Sequence, residues 1–125
     1  HLLNDGLLII FPSGSVSVAK DSKSTAEDDE WKHFTAKILK QTKSDVLPVY
    51  FDGKNGLLFH IFASKIKNQT LKYSSYIHET KKMIGKEINF YPGNVIKYSD
   101  LSKISNREKL TEYLKKKTYE LRSKK

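Results

Sequence analysis

Three groups of side chains in this sequence have chemistry to offer: four histidines, a run of small hydroxyl residues after an apolar stretch, and a large lysine excess. The histidines are His1, His33, His60 and His78. A catalytic imidazole needs a partner that fixes its tautomer, and a zinc site needs ligands at turn or helix spacing. No two of the four have zinc-ligand spacing, and there is no H-E-x-x-H. His60 sits inside an apolar run, where a satisfied core residue is the simpler reading. His33 lies off the apolar face of its helix, and His78 beside Glu79 reads as a surface helix pair. The stretch "GLLIIFPSGSVSVAK", Gly6 to Lys20, asks for more. Pro12 ends the apolar run, and Ser13, Gly14, Ser15 and Ser17 follow it. Gly14 lets another group approach the backbone, the N–H groups after it can face an anion, and the hydroxyls add polarity. The pattern is neither G-x-G-x-x-G nor a P-loop, and there is no G-x-S-x-G elbow. Taken alone it reads as a tight turn.

The elements that would position this turn follow from periodicity. Leu7 to Phe11 is a continuous apolar run between Gly6 and Pro12, the pattern of a strand buried on both faces. "KDSKSTAEDDE", Lys20 to Glu30, reads as a loop, with Asp28 or Asp29 as a helix cap. "WKHFTAKILKQTK" then places Trp31, Phe34, Ile38 and Leu39 on one helical face. Val46 to Phe51, "VLPVYF", reads as a second buried strand with Asp52-Gly53 as its turn. Strand, helix and strand at this spacing predict a parallel, right-handed crossover. Asn55 to Ala63 fits a short helix or an extended segment. Tyr73, Tyr76, Ile77, Thr80 and Ile84 follow helical spacing up to Gly85. "EINFYPGNVIKY", Glu87 to Tyr98, is extended and broken at Pro92-Gly93. Ser105 to Glu108 has the capping-box pattern and opens a last helix with Leu110, Tyr113, Leu114 and Leu121 on one side. The expected fold is α/β: a mixed, largely parallel sheet flanked by helices, with residues 1–125 as a single domain. The opening "HLLNDG" reads as a last helical turn capped by Gly6, so the chain is expected to continue upstream.

Composition narrows the partners. The chain has 125 residues, no Cys, and 23 Lys+Arg against 14 Asp+Glu, a formal charge of +9. Without Cys, a disulfide scaffold, a thiolate metal site and a Cys nucleophile are excluded. The charge favours anionic partners: nucleic acid, an acidic membrane surface or phosphorylated substrates. Only Arg107 and Arg122 are arginines, so the attraction is diffuse rather than bidentate. Tyrosines interleaved with lysines invite a nucleic-acid reading, but most fall at core spacing and no RRM, KH or zinc-finger pattern is present. No apolar run approaches the ~20 residues of a membrane-spanning helix. A short one, "LLFHIFA", Leu57 to Ala63, belongs to "LLFHIFASKIK", which would either pack in a core or dip into a membrane interface.

"LLIIFPSGSVS" followed by "VLPVYFDGKNGLLFHI" resembles the glycerolipid acyltransferases, the family that includes lysophosphatidate acyltransferase. One family motif reads FPEGTRS after an apolar strand, and Phe11, Pro12, Gly14 and Ser17 match it. A second centres on a Pro in an apolar strand, matched by Pro48. The late segments "INFYPGNVI" and "LTEYLKKKTYEL" are similar as well, so the resemblance covers nearly the whole chain. Ser13, Ser15 and Val16 depart from the motif, standing where the family usually has Glu, Thr and Arg. That variant is similar to a bacterial branch labelled haemolysin-like or ornithine-lipid-type acyltransferases, and it points to an acceptor other than lysophosphatidate.

The resemblance implies a lipid-biosynthetic transferase that moves a fatty acyl group from a thioester donor to the hydroxyl of a lysolipid. The donor would be acyl-CoA or acylated acyl-carrier protein, with no cofactor and no metal. The partners implied are the lipid acceptor, the acyl carrier and an anionic membrane surface, with the protein peripheral on the cytoplasmic side; nucleic acid is not implied. Phe11, Pro12, Ser13, Gly14, Ser15, Ser17 and Pro48 would form the acceptor-side wall. The family's catalytic pair is a His and an Asp separated by four residues. Five positions after each His stand Gly6, Ile38, Lys65 and Met83, so the pair is expected upstream and the chain alone is expected to be inactive. The competing class is a non-catalytic basic module that binds nucleic acid or an acidic partner.

Overall fold

The computed structural model describes residues 1–15, 17, 27–52 and 69–124. Its helices are α1 (Phe34–Thr42), α2 (Gln69–Met83), α3 (Tyr98–Leu101) and α4 (Arg107–Glu120), and its strands are β1 (Val49–Asp52) and β2 (Asn89–Pro92). Single 3-10 turns cover Leu2–Asn4 and Leu121–Lys124. Contacts divide the chain into two compact units. One is His1–Ser15, Glu30–Phe51 and Phe90–Lys125, and the other is Val16–Asp29 and Asp52–Asn89.

The core of the first unit is helical. Trp31, Ala36, Leu39, Leu101, Leu110 and Leu114 are buried together, with Val46, Ile96, Tyr98, Ile104, Tyr113 and Tyr119 packed around them. Leu110 and Leu114 lie one turn apart on α4, so they form a stripe that meets α1. The start of α4 is fixed by Asn106, whose side chain accepts from the N–H groups of Glu108 (2.7 Å) and Lys109 (3.1 Å). The cap therefore falls one residue later than a Ser105–Glu108 box would place it. α1 begins at Phe34, after the buried Trp31, and its N-cap His33 makes no side-chain cap bond. Asp28 does not cap it; that residue belongs to the second unit, where its carboxylate accepts a hydrogen bond from Ser17. Phe34 is 62% exposed, so the α1 stripe runs through Ala36 and Leu39 instead.

The largely parallel sheet is overturned. Among the described residues the sheet has two strands, β1 and β2, and they run antiparallel. An antiparallel bridge between Val46 and Ile96, with N–H···O distances of 3.0 and 2.8 Å, carries the pairing further. "VLPVYF" thus pairs with "NFYP" rather than with the first apolar run. The expected crossover fails because Leu7–Phe11 takes no strand partner among the described residues. A continuous apolar run reads as a doubly covered strand only if ladders exist on either side. Here the run is a lone extended segment whose exposure alternates: Leu7 (81%), Ile9 (73%) and Phe11 (70%) stand out, and Leu8 (46%) and Ile10 are better covered.

Pro92-Gly93 breaks β2 for a packing reason. The Gly93 N–H donates to the Pro48 carbonyl at 2.8 Å. A Cβ on Gly93 would stand 2.9 Å from the Pro48 ring and 3.2 Å from the Leu121 methyls. At the other end of the chain, "HLLNDG" is a 3-10 turn, and Asp5 rather than Gly6 takes the left-handed conformation (φ 54°).

In the second unit, α2 and its stop at Gly85 (φ +77°) are as expected. Its apolar face is not. Ile77 and Ile84 are 60% and 76% exposed, while Glu79 is buried and paired with Lys82 at 2.9 Å. Asn55–Ala63, with His60 and "LLFHIFA", lies outside the described residues, as does Val16.

Candidate functional site

The apolar run delivers the chain into a turn at Phe11–Gly14. The Gly14 N–H donates to the Phe11 carbonyl at 3.1 Å, closing a four-residue β-turn with Pro12 at its second position. Pro fixes φ there and leaves the turn no competing donor. The turn is then clasped twice. The Ser13 hydroxyl donates to the Ser15 carbonyl at 2.8 Å and receives the Ser15 N–H at 3.4 Å. The Pro12 carbonyl accepts the Lys32 N–H at 2.9 Å, which ties the turn to the segment entering α1 beside Trp31. Gly14 closes the turn at φ +66°, exposed and with open space where a side chain would be.

The expected site residues fall into three groups. Phe11, Pro12, Ser13, Gly14 and Ser15 form this one turn, with Ser13 buried (6% exposed) and Gly14 and Ser15 exposed. Phe11 lies against Phe51 of β1, ring centroids 6.4 Å apart, and Phe51 lies against Phe90 of β2 at 6.1 Å. Pro48 is buried just before β1, under Gly93 and Leu121, where it shapes the strand entry. Ser17 belongs to the second unit, where its hydroxyl is spent on Asp28.

Sequence reasoning missed a cleft of about 310 Å³ on the helical side of the first unit. It is lined by Glu30, Trp31, His33, Glu108, Thr111, Glu112 and Lys115. These residues come from the α1 entry and the first turns of α4, and their separation in sequence hides them. The His33 Nδ1 stands 3.5 Å from the Thr111 Oγ1, whose proton goes to the Arg107 carbonyl at 2.8 Å. The Thr111 proton is therefore already used, and among the described residues no histidine–carboxylate hydrogen bond orients an imidazole as a base. Among the described residues no group of three His, Cys, Asp or Glu is arranged to hold a metal.

Elsewhere the electrostatics are superficial. The Lys97 ammonium (2.8 Å) and the Tyr98 N–H (2.8 Å) hold the Asp45 carboxyl below its ordinary range, and Asp45 in turn raises Lys97. Together they staple the start of α3 to the β1 approach. Arg122 spans the Tyr50 and Tyr119 rings, 5.6 and 5.0 Å from their centroids, and donates from Nε to the Tyr50 hydroxyl at 3.2 Å. That clamp fixes the C-terminal turn over β1. No helix among the described residues is long and apolar enough to cross a membrane.

Comparison with protein-family models, with curated proteins and with solved structures finds no match to this chain.

Proposed function

We propose that this chain forms the acceptor-side wall of a lipid acyltransferase, with the catalytic His and Asp supplied by another segment of polypeptide. The observation that carries the reading is the contact between Phe11 and Phe51. It joins the two stretches, "FPSGS" and "VLPVYF", on which the family resemblance rests, although the two rings lie 40 positions apart in sequence. A polar turn with an open Gly14 then stands beside exposed Phe11, Phe51 and Phe90. A lysolipid needs that combination: a polar point for its head and apolar surface for its chain.

The chemistry is acyl transfer. A His takes the proton of the acceptor hydroxyl, an Asp stabilises the imidazolium, and the alkoxide oxygen attacks the thioester carbon. The thiol of the carrier, acyl-CoA or acylated acyl-carrier protein, leaves. This chain positions the acceptor and does not supply the base. The net charge of +9 would hold the protein against anionic lipid on the cytoplasmic face, with each Lys near the surface worth about 1 kcal/mol.

The test is co-sedimentation with anionic vesicles, with and without lysolipid, against binding to single-stranded RNA at two salt concentrations. Vesicle binding that lysolipid strengthens supports the reading. Tight, salt-sensitive RNA binding without vesicle binding makes the chain a basic nucleic-acid module and overturns it.

A further inference from the structure

The run Leu7–Phe11 offers an unused strand edge. Among the described residues the backbone groups of Leu8, Ile9 and Ile10 make no hydrogen bond, and no N–H of the run donates one. Two of its carbonyls are taken. That of Leu7 accepts from the His1 Nε2 at 3.1 Å, and that of Phe11 from the Gly14 N–H at 3.1 Å. In an extended chain the peptide groups of successive residues face opposite edges. The edge carrying Leu7, Ile9 and Phe11 is therefore partly spent, and the edge carrying Leu8 and Ile10 is free. A row of unpaired groups on an apolar run is a template for another strand.

Charge and register favour a second copy of this chain as that strand. Two copies at +9 repel wherever charged surfaces meet. Gly6–Ala19 is the longest stretch without a charged side chain, so the copies approach there at the least cost. The run is also complementary to itself. Paired antiparallel about a two-fold axis at Ile9, Leu8 exchanges hydrogen bonds with Ile10 of the second copy, Ile9 faces Ile9, and Leu7 faces Phe11. Every cross-strand pair is then apolar. Leu7, Leu8, Ile9 and Phe11 are 46–81% exposed, which is roughly 500 Å² at about 200 Å² for a large apolar side chain. Two such surfaces give about 1,000 Å², the lower end for a specific interface, so the dimer comes apart on dilution. We infer that two copies of this chain pair through the Leu8–Ile10 edge into a closed, two-fold dimer. The pairing goes beyond the acceptor-wall reading and does not depend on it.

Sedimentation equilibrium of the chain from about 2 to 200 µM tests this. A reversible monomer–dimer equilibrium without larger species is expected. Ile9 is 73% exposed, so Ile9→Lys should keep the native circular dichroism spectrum. It sets two ammonium groups face to face on the axis and should weaken the dimer about tenfold or more. Ile9→Glu alone should do the same, and an equimolar mixture of the two variants should restore the dimer, because the axis places residue 9 opposite itself. Leu3→Lys, at a position 77% exposed outside the run, should leave the dimer unchanged. A native chain that stays monomeric throughout overturns the inference, as do open-ended assemblies and a dimer indifferent to Ile9→Lys. A mixture of Ile9→Lys and Ile9→Glu that does not pair, or an equal loss with Leu3→Lys, overturns it too. None of these outcomes touches the acceptor-wall reading, which the vesicle experiment decides.

Discussion

Two parts of the same compact unit carry apolar side chains and end in opposite surroundings, and the more apolar of the two in sequence is the more exposed. α1 and α4, with α3 between them in sequence, bury Ala36, Leu39, Leu101, Leu110 and Leu114 almost completely around Trp31. The extended run Leu7–Phe11, with Phe51 and Phe90, leaves its outward side chains 52–81% exposed. The difference lies in how each pattern finds a partner. A helical stripe of Leu at i and i+4 gathers its apolar surface on one side, so two such helices satisfy each other within a short chain. An apolar strand needs a ladder on its edges and a layer on its faces. Here β2 takes the pairing that the first run was expected to share. The helical half is therefore where stability resides, and the extended half is where apolar surface stays exposed.

That contrast can be broken by substitution, and the largest effect should come from the helices. Leu110→Ala or Leu114→Ala should lower unfolding free energy by about 2–5 kcal/mol, from lost burial and the cavity left behind. Ile9→Ala, the same kind of truncation on the exposed run, should change it by less than about 0.5 kcal/mol. Urea denaturation of the three variants reads both numbers; an Ile9→Ala cost equal to that of Leu110→Ala would erase the distinction.

The next effect belongs to the junction of the two parts. Gly93→Ala should cost about 1–3 kcal/mol, because its Cβ meets the Pro48 ring at 2.9 Å and Pro48 is rigid and buried. Thermal unfolding with an unchanged transition would show that the ring moves aside freely. Asn106→Ala should cost about 1 kcal/mol through loss of the α4 cap, and helix content by circular dichroism should fall at the same time.

The smallest effect is electrostatic. Asp45 is held below its ordinary value of 3.8, so its contribution is present above that pH and is lost as pH falls through the lowered folded value. Lys97 is raised above 10.5, so its share is present below that pH and is lost as pH rises through the raised folded value. Both groups are largely solvated, and salt should weaken the pair. Asp45→Asn should flatten the acid limb of a stability–pH curve while leaving the neutral plateau nearly unchanged. An acid limb identical to that of the native chain would remove Asp45 from the account.

Much of the helical part was legible in the sequence. Leu110, Leu114 and Leu121 are on the buried side, Gly85 stops α2 in a left-handed conformation, and Pro92-Gly93 does interrupt an extended segment. These signals are local: spacing, a φ that glycine tolerates, a missing N–H. Pairing is not local. Nothing in "LLIIF" or "VLPVYF" says which strand either will meet, and the expected parallel crossover rests only on the strand–helix–strand spacing. The same limit applies to the site. The Pro12–Gly14 turn was readable from its residue types, but the Ser13 clasp and the tie from Pro12 to Lys32, 20 positions further on, were not. The His33 cleft was invisible because its lining comes from segments more than 70 positions apart. On α2, the buried Glu79 beside Lys82 displaced the expected face of Ile77 and Ile84, and hydrophobic spacing carries no information on such an ion pair.

The central claim is that a lipid acceptor meets this chain at the turn between the exposed run and α1. Photolabelling with a lysolipid that carries a diazirine next to its head group tests it directly, with the modified residues read by peptide mass spectrometry. The account predicts labelling concentrated in the peptide containing Phe11–Ser15, reduced when Gly14→Asn, a residue that tolerates the left-handed backbone at φ +66°, occupies the open space there. Labelling spread over the lysine-rich surface, or centred on the α4 peptides and indifferent to Gly14→Asn, would contradict it.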